Sequence, residues 1–225
     1  MALGLRSDWQ AHLKKVHDAC GFQRIRGHGL LDNDMNVILP DDGVYAATSA
    51  GPPANPDVSK KLHYTFRNVD IVYDFLLSLQ MKPVVALSWL PSQLASDGNP
   101  CSTWHYRGCG GPPKNTTDFG HLVGALATHF VERHGVEEVR QWPFELWNEP
   151  NCGPCLPSAN SSGSSDNIYP PCFEGNMRNP AYPSCGTGGW CLAKYLEVFD
   201  ETSKQLKAVD SQIPVGGPAS QQLGW

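Results

Sequence analysis

Pro83-Val84-Val85-Ala86-Leu87-Ser88-Trp89 is a nearly unbroken apolar run. A strand with one face in water alternates apolar and polar residues. A run without alternation reads as a strand buried on both faces, the habit of parallel sheets covered by helices. The residues before it agree. Val69, Val72, Phe75, Leu76 and Leu79 recur at helical spacing and predict a helix over residues 66–79 that leads into the strand. The same unit repeats outward. Downstream, Leu122, Val123, Leu126, Phe130 and Val131 mark a helix over 118–134, stopped by Gly135 and followed by a strand over 143–149. A further helix (191–209) and strand (213–217) come after it. Upstream, Trp9, Leu13, Val16 and Cys20 line a helix over 7–20. Ser7 and Gln10 stand at capping-box spacing there, and Gly21 is the expected stop. A short strand at 22–28 follows, and 29–63 read mostly as loop.

Helices alternating with strands predict a parallel α/β sheet. It can close as a doubly wound open sheet or as a (β/α)8 barrel. The long, polar, aromatic-bearing loops follow the strands, where both folds keep their function. No Gly-x-Gly-x-x-Gly opens a helix, which argues against a dinucleotide-binding sheet. Four strands are clear, half of what a barrel needs.

Composition sets the function classes. The 225 residues carry 17 Lys plus Arg against 22 Asp plus Glu, a net charge of −5, which disfavours a nucleic-acid partner. With 40% hydrophobic residues and 7 Trp, the chain can bury a core. No apolar run is long enough to span a bilayer. The opening MALGLRSDWQ lacks the pattern of a secretory leader. Yet eight cysteines are present, five of them between 152 and 191, and Asn115-Thr-Thr and Asn160-Ser-Ser are glycosylation sequons. These features predict an oxidising compartment, secreted or lysosomal/vacuolar. The two observations agree if the chain begins inside a longer protein.

The segment richest in chemistry is Phe144-Glu-Leu-Trp-Asn-Glu-Pro-Asn151. Alternation places Phe144, Leu146 and Asn148 on one side, and Glu145, Trp147 and Glu149 on the other. Glu149 falls at the strand's carboxyl end, because Pro150 cannot continue the ladder. A carboxyl beside an amide and an indole suits general acid work on a sugar, its pKa raised by apolar walls. Read from spacing alone, it serves equally as a helix N-cap or a surface carboxylate.

Trp-Asn-Glu-Pro at a strand end resembles the acid/base signature of retaining glycosidases built on (β/α)8 barrels. The wider sequence resembles glycoside hydrolase family 39, which holds β-xylosidases and α-L-iduronidases. The similarity rests on Arg26-Gly-His28-Gly with Asp34-Met35, Tyr64-Thr-Phe, Pro83-Val-Val-Ala-Leu, Trp104-His-Tyr-Arg-Gly, Pro112-Pro-Lys114, the run from His134 to Trp142, and Val215-Gly-Gly-Pro-Ala219. It implies a partial (β/α)8 TIM barrel, roughly strands 2–5 with their helices. It implies one catalytic-barrel fragment over 1–225, with a Cys-rich insertion at 152–190 after the fourth barrel strand. Glu149 is then the general acid/base. Asn148 bonds the sugar 2-hydroxyl, Arg26 holds the nucleophile's carboxylate, His28 contacts hydroxyls, and Trp104 and Tyr106 wall the pocket. The implied partner is a xylo-oligosaccharide or related glycoside, and no cofactor is implied. His28-Gly, Pro112-Pro-Lys and Val-Gly-Gly-Pro-Ala favour the xylosidase branch over the iduronidase branch.

A retaining mechanism needs a second carboxyl as nucleophile. The family carries it on the seventh strand, and these residues reach only the fifth. The chain alone is therefore expected to be inactive. Other classes also compete. A non-catalytic carbohydrate-binding or scaffold protein would keep half a pocket. A thiol oxidoreductase is suggested by Cys152-Gly-Pro-Cys155, but Leu-Pro-Ser-Ala-Asn-Ser-Ser-Gly after it cannot form the helix that activates such a thiol. A disulfide-stapled loop is the plainer reading, with Cys101 and Cys109 as a second staple. Asp32-Asn-Asp34-Met-Asn36 opens like a calcium loop, but Val37 stands where that loop needs glycine. A zinc site would need a better-spaced second cysteine pair.

Overall fold

The structure is a computed structural model and describes residues 1–39, 62–95, 101, 108–148 and 189–219, the side chains of 189–193 excepted. Along the chain come α1 (Ser7–Cys20), β1 (Arg24–Arg26), β2 (Ile38–Leu39), β3 (His63–Tyr64), α2 (Arg67–Ser78) and β4 (Lys82–Leu87). They are followed by α3 (Thr116–His134), a single turn α4 (Val136–Val139), β5 (Phe144–Leu146), α5 (Gly189–Val209) and β6 (Val215–Gly216). Four strands form one sheet in the order β1-β4-β5-β6. Every pairing in it is parallel, with Ile25 opposite Pro83, Ala86 opposite Glu145 and Phe144 opposite Val215. Successive strands are neighbours and a helix lies between each pair in sequence. The fold is thus part of a (β/α)8 barrel, the fold class expected above.

Several local expectations change. The stretch read as loop holds an antiparallel ribbon, β2 against β3, with Ile38 opposite Tyr64. The capping box at Ser7 does not form: Arg6 is the extended cap residue and makes no side-chain cap bond, and Ser7 is already helical. Asp8 serves that end instead, accepting from Trp9 N at 2.8 Å and pairing with Arg6. Helix α3 starts two residues before the expected Asp118, because Asn115 caps it. The Asn115 Oδ1 accepts from Thr117 N at 2.8 Å and Asp118 N at 3.2 Å. Gly21 ends α1 as expected, at φ 69°, a left-handed conformation that costs glycine little.

The core lies between the sheet and α2, α3 and α5. Tyr73 and Phe130 stack with centroids 5.0 Å apart, and Trp142 meets both edge-on at 5.7 and 5.3 Å. All three are fully buried, as is Phe144 from the sheet. Each such side chain stabilises the fold by roughly 1.5–3 kcal/mol through burial. Helices α3 and α5 approach closely at Gly120, where a Cβ would lie 2.8 Å from Glu201 Cγ. Helix α1 differs in that it buries no residue.

The carboxyl ends of the strands form a rim whose loops are tied together. Gly29 N and Leu30 N, just past β1, both donate to Ser88 O, just past β4, at 3.0 and 3.1 Å. Leu90 and Cys109 exchange backbone hydrogen bonds at 3.1 and 3.0 Å. The sulfurs of Cys101 and Cys109 lie at bonding distance across that contact.

Candidate active site

Arg26 ends β1 and points along the rim rather than into solvent. Its Nε donates to Glu145 Oε1 at 2.8 Å and Oε2 at 3.0 Å, and its Nη2 also bonds Glu145 Oε1. This is the two-pronged geometry that suits guanidinium and carboxylate. Nη2 donates in addition to Asn148 Oδ1 at 3.1 Å, and Nη1 lies 2.9 Å from His28 Nε2. Arg26 is therefore the hub of four side chains from β1, β5 and the turns after them. The pair is partly sheltered, with side-chain exposures of 30% for Arg26 and 19% for Glu145.

Asn148 joins this cluster because alternation fails one residue earlier. Strict period-two geometry sends Asn148 to the side of Phe144 and Leu146, as expected from sequence. Trp147 instead has φ 68°, in the left-handed region. That turn of the backbone brings Asn148 round to the side of Glu145. It also leaves Trp147 fully buried, edge-on to Trp89 with centroids 5.6 Å apart and planes at 85°. A left-handed backbone at a bulky residue is uncommon, and such positions gather at functional sites.

Trp89 follows β4 and also stacks on His28, with centroids 6.4 Å apart and planes 18° from parallel. Burial first, and Arg26 second, hold the His28 imidazole below its usual pKa, so it is neutral at pH 7. An arginine can only donate, so the His28 Nε2 beside it accepts and the proton resides on Nδ1. That Nδ1 is buried and has no hydrogen-bond partner among the described residues. Together these groups form a polar floor of arginine, amide and imidazole beside an indole wall. A polyhydroxylated ring with one apolar face matches that arrangement.

Of the residues singled out from sequence, Arg26, His28 and Asn148 come together. Glu149, Trp104, Tyr106 and residues 152–188 of the Cys-rich segment lie outside the described residues, while its last two residues already belong to α5. Asn115 of the first sequon is exposed at the start of α3, and Asn160 lies outside the described residues. The reading from sequence passed over Glu145 and Trp89. Glu145 had a signal: it is the only charge in the strand-forming run from Pro143 to Trp147, and a lone charge there needs a partner. The apolar run from Pro83 predicts Trp89 as the last residue of a buried strand. It lies beyond the end of β4 and is only half-buried. Val37 in place of the required glycine excludes a calcium loop at 32–37. In the structure Asp32 is 1% exposed and Val37 also 1%.

Comparison with known proteins gives the following. The sequence profile of the family "Glycosyl hydrolases family 39" matches residues 1–155. A β-xylosidase from Caldicellulosiruptor saccharolyticus is 34% identical over 222 residues, which is 98% of this chain and 35% of that protein. An α-L-iduronidase from Canis lupus familiaris is 27% identical over 205 residues, covering 91% of this chain and 22% of that protein. Among solved structures, a monomeric β-xylosidase from Caulobacter crescentus superposes with a TM-score of 0.70 at 28% identity, over 98% of this chain and 34% of its own. The chain spans about a third of the length of the β-xylosidases it matches.

Proposed function

Since the chain belongs to glycosyl hydrolase family 39, we propose that it forms the acid/base half of a retaining glycosidase acting on terminal β-xylosyl-type bonds. The observation that carries this reading is the convergence of Glu145, His28 and Asn148 on Arg26 at the carboxyl rim of a parallel sheet. Sites of such barrels are built at that rim.

Each residue then has a task set by its chemistry. Arg26 occupies the Asn148 carbonyl oxygen, so the Asn148 Nδ2 is left to donate. A donor fixed in that way suits the sugar 2-hydroxyl, whose hydrogen bonds strengthen as the oxocarbenium-like transition state develops. Glu149, the next residue in sequence, gives its proton to the leaving oxygen and later takes one from water. Among the described residues Arg26 spends four of its five N–H groups on Glu145, Asn148 and His28. One Nη1–H remains to steady the nucleophile's carboxylate, which a retaining enzyme sets roughly 5–5.5 Å from the acid/base. We assign that nucleophile to a strand two βα units beyond β6. On this reading the 225 residues alone do not hydrolyse glycosides. Identity of 34% to the β-xylosidase against 27% to the iduronidase supports the xylosyl substrate. The cysteines and sequons support an oxidising compartment.

The test uses a polypeptide that continues this chain through a complete barrel, assayed on an aryl β-xyloside. Glu149→Ala should lose roughly a hundred- to ten-thousandfold in kcat on poor leaving groups; on an activated aryl xyloside, where the glycosyl-enzyme still forms, azide should restore turnover by attacking it to give a glycosyl azide. Unchanged turnover in that variant removes Glu149 from the mechanism. Turnover by the 225-residue chain alone overturns the assignment of the nucleophile. Hydrolysis of an α-L-iduronide in place of the xyloside moves the enzyme to the other branch.

A further inference from the structure

Past β1, Asp32 and Asn33 grip both ends of the Trp89-Leu90-Pro91-Ser92 segment. Asp32 Oδ1 accepts from Trp89 N at 3.1 Å. Asn33 Oδ1 accepts from Ser92 N at 2.9 Å and from Ser92 Oγ at 3.2 Å. With the two bonds from Gly29 N and Leu30 N to Ser88 O, the loop after β1 holds the loop after β4 at three successive points. The grip leaves little slack. A Cβ on Gly29 would fall 2.2 Å from Asp32 Oδ2, and one on Gly108 would fall 2.3 Å from Asp32 Oδ1 and 2.6 Å from Trp89 Cβ. Two glycines therefore make room for one carboxyl wedged between three loops. Asp32 is 1% exposed, far from where a solvating aspartate sits. Its Oδ2 is buried and has no hydrogen-bond partner among the described residues. A carboxyl kept there at such desolvation cost is explained by the geometry it imposes on Trp89.

We propose that Asp32 and Asn33 are positioning residues that fix the Trp89 indole as the sugar-facing wall beside His28. The positional half of this rests on geometry alone. The sugar-facing half rests on the glycosidase reading given above. Neither side chain touches the Arg26 cluster in the described hydrogen bonds, so the pair acts through Trp89. The distinction from general scaffolding is chemical. Any acceptor at position 32 that reaches Trp89 N suffices, charged or not.

The experiment follows Trp89 directly, in the chain labelled with fluorotryptophan and observed by fluorine NMR. Trp89→Phe identifies its resonance. Asp32→Ala should displace or broaden that resonance, while Asp32→Asn, which keeps a carbonyl acceptor, should leave it in place. Asn33→Ala should displace it too, and serves if Asp32→Ala does not fold. Methyl β-D-xylopyranoside is then titrated in. Its affinity should fall roughly tenfold in Asp32→Ala, the loss of one buried hydrogen bond, and be restored in Asp32→Asn. A Trp89 resonance unmoved in Asp32→Ala and Asn33→Ala, both folded, overturns the proposal. So does failure of Asp32→Asn to restore the resonance. A displaced resonance in Asp32→Ala, with no xyloside binding by the wild-type chain, supports the clamp and overturns the sugar-facing role of Trp89 within these 225 residues.

Discussion

Among the described carboxyls, Asp32 is pushed far from its ordinary titration range. Burial, the largest influence, pushes its carboxyl up to about 7, against the opposing pull of the Trp89 N–H and the amino-terminal ammonium; Asp34 adds to the rise. In the unfolded chain the same carboxyl titrates near its ordinary 3.8. Between those values the folded state binds more protons than the unfolded one. Stability therefore falls as pH rises through about 4 to 7, and this contribution is flat above that window. The loss amounts to at most about 4 kcal/mol for a change of this size. Asp32→Asn should flatten the slope and be more stable than the wild type at pH 8. Urea denaturation across the pH range checks this, and a wild-type slope of the opposite sign in that window contradicts it. Burial first, and the neighbouring Arg26 second, keep His28 neutral at pH 7, so the imidazole adds no charge to the Arg26–Glu145 pair beside it.

At the scale of elements, α3 shows how one side chain can hold two roles. Asn115 Oδ1 caps two backbone N–H groups of α3, and its Nδ2 is the atom a glycan would take. Asn115→Ala removes both cap and sequon; Thr117→Ala removes the sequon alone. The first should cost about 1 kcal/mol, and the second only a few tenths, since Thr117 is exposed on the helix surface. When the chain is made in a secretory host, both variants should lose one glycan, seen as a smaller shift on deglycosylation. Equal stability of the two variants would show that the cap contributes nothing. Sequence spacing found all four long helices, because a helix of 12 residues or more repeats its pattern several times. It missed the ribbon of β2 and β3, whose two residues apiece carry no period at all. It placed Asn148 on the wrong side for a related reason. Alternation is a rule about extended backbone, and the left-handed residue at Trp147 lies outside it. The grouping of Arg26, His28 and Asn148 was legible through motifs alone. The wedge at Asp32 was not, since it depends on two glycines 79 residues apart in sequence, Gly29 and Gly108, meeting the same carboxyl.

For the molecule as a whole, the sheet has two open flanks: among the described residues β1 and β6 each pair on one side only. Several large apolar side chains are exposed as well: Leu3 at 52%, Val16 at 41% and Phe22 at 53% before β1, Ile71 at 43% on α2 and Leu196 at 46% on α5. Unpaired strand edges beside exposed apolar groups invite association. The isolated 225-residue chain should self-associate with rising concentration in sedimentation runs. Replacing Val16 and Phe22 by Ser should reduce that without changing helix content. A monodisperse monomer at every concentration tested would show that these flanks are better protected than their exposure indicates. The Arg26–Glu145 pair has a consequence for synthesis. In a polypeptide of the relatives' length, these strands leave the ribosome well before the carboxylate proposed for a later strand. An arginine reserved for that late arrival alone would wait as an unmatched charge in a closing interior. With Glu145 two strands away and made in the same early stretch, the nascent half-pocket is neutral from the outset and can settle before the rest of its partners have been translated.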